Sequence, residues 1–274
     1  MDNGRRPFQF VESNLRHAME FYSRANESGL VRAFPGVDTI SCGRDYPVFN
    51  SALLNSPVPG GDGNLKSRLS IPSTFFKGIG MGWSYWMCHD LLDRDSLYDM
   101  NPTCNAFGLE QVLTAPGMIA DSLQSPSRKA PAMQIREVND APTRLVFAHL
   151  VSMIFDLPFQ MTLNIYGNAA IWSENYAGFV GYAADRPVAI AMLNNGGGCS
   201  GFYSVGTLPG FRRRGYAETL MRQGYESVKS RWKSDVCVLQ SSTAGRRLYE
   251  RMGFREVTQF SVYRCLASDT TNVQ

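Results

Sequence analysis

The stretch Val205–Ala217, V-G-T-L-P-G-F-R-R-R-G-Y-A, constrains this chain more than any other. It reads as the end of a β-strand, a basic loop and the entry to a helix, because Tyr216–Trp232 places Ala217, Leu220, Met221, Gly224 and Val228 on one helical face. The first N–H groups of a helix lack intrahelical acceptors and sit at the positive end of its dipole. A loop that delivers Arg212, Arg213 and Arg214 to that point therefore predicts an anion site. Gly215 lets the backbone approach a phosphate closely, and the small Ala217 keeps the first turn clear. An arginine run alone is more often a solvated face. The strand–loop–helix context and the charge distribution distinguish this one: residues 1–132 hold 12 Lys and Arg against 13 Asp and Glu, whereas residues 133–274 hold 15 against 11.

The rest of the second half predicts a sheet around that loop. Asp121–Ala132 is rich in Ser, Pro and Ala without apolar periodicity, and marks a boundary between domains 1–131 and 132–274. Beyond it, Met133–Val138 reads as a strand and Pro142–Asp156 as a helix with Leu145, Val146, His149, Leu150, Met153 and Ile154 on its apolar face. Gly178–Ala183 and Val188–Leu193 form a hairpin through ADRP, and Asn194–Gly198 a turn. Gly201–Thr207, Val236–Leu239 and Gln259–Leu266 are further strands, and Ala244–Met252 a helix stopped by Gly253. The order β-α-β-β-β-α-β-α-β describes an α/β fold, a mixed sheet flanked by helices.

The first half is less regular. Gln9–Ala25, Asp90–Tyr98 and Ala106–Leu113 read as helices, Asn26–Asn64 as loop-rich with short strands, Gly60–Gly63 as a turn, and the aromatic Phe75–Met87 as partly extended.

Two motifs carry a family resemblance. Arg212-x-x-Gly215-x-Ala217, with Val205-x-Thr207-x-Pro209 upstream, resembles the R/Q-x-x-G-x-G/A coenzyme A signature of the GNAT N-acetyltransferases. Ala244–Phe254, A-G-R-R-L-Y-E-R-M-G-F, is similar to their late helix-and-turn motif. The resemblance covers residues 133–266 and implies the GNAT acyl-CoA N-acyltransferase fold with a mostly antiparallel sheet, acetyl-CoA as co-substrate, no metal, and an amine acceptor, small molecule or peptide. It implies that the backbone of Val205 and Thr207 pairs with the pantetheine arm, that the Val205 N–H serves the oxyanion, and that the amides from Arg213 through Arg214, Gly215 and Tyr216 to Ala217, with the Arg212 side chain, hold the pyrophosphate. Tyr249 would protonate the leaving thiolate; as a residue type alone it reads equally as a core tyrosine. The strand before the loop, Gly201-Phe202-Tyr203-Ser204, lacks the Glu that many relatives carry there, so the base falls to a water chain, Tyr203 or Glu174. Pro47–Leu54, Trp83–Trp86, Ala106–Leu113 and Pro116–Met118 are similar to two-part members whose first half is a degenerate copy of the fold. That half lacks a second coenzyme motif, and Phe75, Phe76, Trp83, Tyr85 and Trp86 serve packing before they serve a cleft.

Other classes are poorly supported. The six cysteines are scattered without a C-x-x-C pair, Cys88-His89 has no ligand partners at metal spacing, and His149 reads as a packed core residue. GGDGNLKS has Leu65 where a P-loop needs Gly, and GIGMG does not complete a dinucleotide fingerprint. A net charge of +3 is small for a nucleic-acid binder using Arg212–Arg214 with Arg246, Arg247 and Arg251. No signal peptide or membrane span is evident, so the expectation is a cytoplasmic protein without membrane or nucleic-acid partners, compatible with a homodimer. A longer-acyl or aminoacyl transferase and a non-catalytic CoA sensor remain as alternatives.

Overall fold

A computed structural model describes residues 4–61 and 64–267. Of the expected Gly60–Gly63 turn, Asp62 and Gly63 lie outside the described residues. Two compact units emerge, neither contiguous in sequence: Met1–Phe21 with Met118–Glu256, and Tyr22–Gly117 with Val257–Gln274.

Along the chain, α1 (Pro7–Ser23) precedes β1 (Leu30–Phe34), β2 (Val37–Ser41), β3 (Ser51–Leu54), α2 (Asn64–Gly78), β4 (Trp83–Cys88), α3 (Arg94–Ala106) and β5 (Glu110–Ala120). In the unit built on Tyr22–Gly117, β1, β2 and β3 are antiparallel, β3 and β4 are parallel, and β11 (Arg255–Cys265, the last strand) runs antiparallel to β4. The parallel pair requires a crossover, which α2 supplies. Phe76, Trp83 and Tyr85 are buried in this unit, with Phe76 stacked on Trp83 at 5.1 Å, so these aromatics pack a core.

Phe75–Met87 is extended in part, with Phe75 and Phe76 closing α2 and β4 starting at Trp83. The short strands expected within Asn26–Asn64 are β1, β2 and β3. One sequence expectation changes here. Ala106–Leu113 is no helix: α3 ends at Ala106, Gly108 takes φ 71°, and Glu110 opens β5. The apolar spacing there fits either period, and the left-handed glycine decides for a break.

The other unit contains β6 (Gln134–Glu137), α4 (Ala141–Phe155), α5 (Phe159–Tyr166), β7 (Tyr176–Ala183), β8 (Arg186–Gly196), β9 (Cys199–Thr207), α6 (Tyr216–Trp232), β10 (Cys237–Gln240) and α7 (Arg246–Arg251). Strands β6 to β9 are antiparallel neighbours, β9 and β10 are parallel, and the end of β5 lies beside β10. The sheet is therefore mixed and mostly antiparallel, with helices on its faces. By compactness the chain divides after Gly117, so only Met118–Ala120 at the end of β5 fall in this unit, while most of β11 belongs to the unit built on Tyr22–Gly117.

Helix α4 starts on a capping box in which Asp140 accepts from the Thr143 amide at 2.8 Å. Its buried face is Thr143, Phe147, Ala148, Leu150 and Val151, whereas Leu145, His149 and Met153 are exposed. The expected apolar face and the packed His149 are thus corrected: with apolar residues nearly all round α4, spacing does not choose the side that meets the sheet. Pro158 does not merely end α4 but opens α5, which the sequence reading lacked. All six cysteines are unpaired and buried. Among the described residues no helix is long and apolar enough to cross a membrane, and no group of three His, Cys, Asp or Glu side chains is placed to hold a metal ion.

Candidate active site

Strand β9 is paired on one edge along most of its length and on the other only at its start. Its parallel register with β10 runs Ser200↔Cys237, Gly201↔Val238, Phe202↔Leu239 and stops. From Tyr203 to Thr207 that edge is open. On the β8 side the register shifts: Met192 faces Tyr203 and Ile190 faces Gly206, leaving Ser204 and Val205 opposite Ala191 alone. This is a β-bulge, and Ser204 adopts φ 46°, a left-handed conformation uncommon outside glycine.

The loop after β9 reaches α6 through two more left-handed residues, Arg213 at φ 62° and Gly215 at φ 90°. Gly215 is the N-cap of α6, and no side chain caps the helix. The first hydrogen bond of the helix runs from Thr219 N–H to the Gly215 carbonyl at 3.0 Å, while the N–H groups from Arg213 to Glu218 have no acceptor among the described residues. Successive unpaired amides in such a turn form an anion-binding concavity. A β-carbon at Gly215 would lie 3.3 Å from Pro131 Cδ and require the left-handed conformation, so glycine is the residue that fits.

The three arginines are exposed and differ in engagement. Arg212 donates from Nε to the Thr207 carbonyl at 3.1 Å, tying the loop to the strand end. Arg214 and Arg186 lie over the Phe211 ring at 5.7 and 5.3 Å, and Tyr216 meets the same ring edge-on at 5.9 Å. No side-chain partner among the described residues engages Arg213. Ala217 is half-buried on the first turn. Glu218, buried on the next position, pairs with Arg222 through Oε1 at 2.9 Å. Sequence spacing did not disclose this internal pair.

Tyr249 sits on α7 within the apolar core formed with α6, and Val205 packs against the same core. Its ring meets Phe254 at 6.0 Å, and burial pushes the phenol up to about 12. A tyrosine so shifted stays protonated across the neutral range and can donate to a developing thiolate.

Of the expected bases, Tyr203 donates its hydroxyl to Asn14 Oδ1 at 2.7 Å. Glu174 is exposed and precedes Tyr176, whose register through Asn194 leads to Gly201, upstream of the bulge. The sequence reading missed Tyr166: from α5, its hydroxyl lies 3.2 Å from Ser204 Oγ at the bulge. The signal was there in Pro158, read as a stop instead of a helix start.

Residues 174–256 match the acetyltransferase (GNAT) domain family. A GCN5-related N-acetyltransferase from Kribbella flavida shares the fold at TM-score 0.66 and 14% identity, over 92% of this chain and 95% of that one. A tandem GNAT protein from the clavulanic acid biosynthesis pathway does so at 0.58 and 7%, over 95% and 94%. A GCN5-related N-acetyltransferase from Sphaerobacter thermophilus gives 0.55 and 15%, over 85% and 77%. No curated protein sequence matches.

Proposed function

We propose, from the GNAT domain that residues 174–256 form in a chain with a two-part GNAT fold, that this protein is an acetyl-CoA-dependent N-acetyltransferase. The acetyl group passes directly to an amine in a ternary complex. The observation that carries this reading is the run of unpaired amides from Arg213 to Glu218 at an uncapped helix start, beside a strand whose edge opens after Phe202. An anion fits the amides. An extended pantetheine arm fits the open edge as an added strand, through the backbone of Val205 and Thr207. The Thr207 carbonyl already accepts from Arg212, so its second lone pair is the one left for the arm.

In this reading the amine nitrogen attacks the acetyl carbonyl, forming the C–N bond. The Val205 N–H stabilises the oxyanion, the C–S bond breaks, and Tyr249 gives its proton to the departing thiolate. The amine proton leaves to solvent. An alkyl ammonium must first lose a proton, which costs about 4–5 kcal/mol near neutral pH.

Titration calorimetry with acetyl-CoA at moderate salt tests the reading, comparing the protein with its Arg212→Ala/Gly215→Glu double variant. Binding at about micromolar Kd (~8 kcal/mol) that the double variant loses is expected. Thiol release with a panel of primary amines then tests transfer. Equal heats from the two proteins would reject the coenzyme site, and binding without thiol release would leave the sensor.

A further inference from the structure

We infer that Ser204 is the group that orients the acceptor amine, and that Tyr166 is the residue that positions Ser204. The inference rests on the N-acetyltransferase reading and deepens it by naming the acceptor side of the site.

Ser204 holds a left-handed φ of 46° where β9 bulges. Glycine would occupy that conformation without strain, so a serine there needs a reason in its side chain. Its Oγ lies 3.2 Å from the Tyr166 hydroxyl. Tyr166 is itself fixed: it is 1% exposed, its ring packs on Phe147 at 5.3 Å, and its carbonyl accepts from Trp172 Nε1 at 3.0 Å. A hydroxyl offers one donor and two acceptor positions, and Tyr166 uses one of the three. Ser204 is only partly buried, so the others can meet a ligand.

The direction follows from the neighbours. Val205 packs into the core that contains Tyr249, on the α6 and α7 side of the strand. Ser204 reaches instead to α5, and Gly206 lies against α4, where an added β-carbon would come 2.5 Å from Ile154 Cγ2. The proposed acid and the serine therefore serve opposite faces of the same strand segment. A thioester along its open edge would have its leaving sulfur toward Tyr249 and its attacked carbonyl toward Ser204.

The chemistry suits a neutral amine. Helices α4 and α5 contain no Asp or Glu; their one Lys or Arg, Arg144, donates to the Gly167 carbonyl at 3.1 Å, and His149 on α4 is exposed. A carboxylate at the bulge would favour the ammonium form. A hydroxyl accepts an N–H from the neutral amine without that preference and leaves the nitrogen lone pair to face the carbonyl.

The test compares the full chain with Ser204→Ala, Ser204→Gly and Tyr166→Phe, by acetyl-CoA calorimetry and by thiol release with a panel of aliphatic and aromatic primary amines. We expect acetyl-CoA affinity within about twofold in all three and kcat/KM for the amine lower by about tenfold or more in both Ser204 variants, with a smaller loss in Tyr166→Phe carried by amine KM. Ser204→Gly is decisive, because it relieves the left-handed backbone while removing the hydroxyl. If that variant turns over amine like the parent, the hydroxyl has no role and the inference is overturned alone. If the parent binds acetyl-CoA but releases thiol with no amine, the N-acetyltransferase reading falls and takes the inference with it.

Discussion

Each unit contains one parallel strand–helix–strand crossover, β3–α2–β4 in one and β9–α6–β10 in the other, and the two part at the first corner. Between Leu54 and α2 there is no Lys or Arg. The corner is held by its own side chains: Asn55 donates to the Phe34 carbonyl and to Asp38, and Asn64 donates to the carbonyls of Pro59 and Gly60. Between Thr207 and α6 stand three arginines, two left-handed residues and a row of amides without acceptors. A crossover alone does not make an anion site. The proposed one needs a corner whose polar backbone is left unspent, supported by positive charge.

The strongest way to break this contrast is Gly215→Glu. The left-handed backbone costs about 1–2 kcal/mol for any residue with a β-carbon, and the new carboxylate competes for the amides themselves. Acetyl-CoA affinity should fall at least about a hundredfold by calorimetry, with Gly215→Ala showing only the roughly tenfold strain component. A loss in Gly215→Ala as large as in Gly215→Glu would assign the effect to backbone geometry and not to the anion site.

Tyr249→Phe comes next and separates chemistry from binding. Removing a positioned acid lowers kcat by about 10²-fold or more while affinity stays within a few-fold. Because burial holds the phenol near about 12, Tyr249 remains protonated as pH rises through the neutral range. The parent's kcat should therefore rise with amine deprotonation and show no descending limb up to about pH 10. A limb that falls near pH 8 and disappears in Tyr249→Phe would contradict the assignment.

The contrast also explains what could be read before the structure. Helix α6 was legible to its ends, Tyr216–Trp232, because a glycine cap and a regular apolar face both fixed it. The hairpin β7–β8 was legible from two β-prone runs and the short polar connection between them. The bulge was not, because two residues against one is a property of the pair: nothing in Tyr203-Ser204-Val205 says that Ala191 alone will face the last two. Tyr166 was lost with α5, since Pro158 can end one helix or begin the next and only packing decides. The return of β11 to pair with β4 escaped for a related reason. Long-range strand pairing leaves no mark on local composition.

Arg212→Ala should have a moderate effect and refine the account of the loop. The side chain ties the loop to β9 through the Thr207 carbonyl, and its remaining guanidinium nitrogens are available to a phosphate. About tenfold weaker acetyl-CoA binding is expected, as for one charge-assisted hydrogen bond. Repeating the titration across salt concentrations separates the two contributions. A charge role makes the deficit shrink as screening increases, whereas a tether alone keeps it constant.

The smallest effect belongs to the quiet corner. Asn64→Ala removes the two hydrogen bonds that fold the segment before α2 back on itself, at 2.9 and 3.0 Å, both solvent-exposed. A loss of about 1 kcal/mol, read as a fall in Tm of about 2–4 °C, is expected. Acetyl-CoA affinity should not change. If the first corner in this unit only holds its own chain, stability and binding part company there, whereas at Gly215 binding is the larger casualty. A measurable loss of acetyl-CoA affinity in Asn64→Ala would mean that the two crossovers are not divided in labour, and the unspent backbone of the second corner would no longer suffice as the explanation of the site.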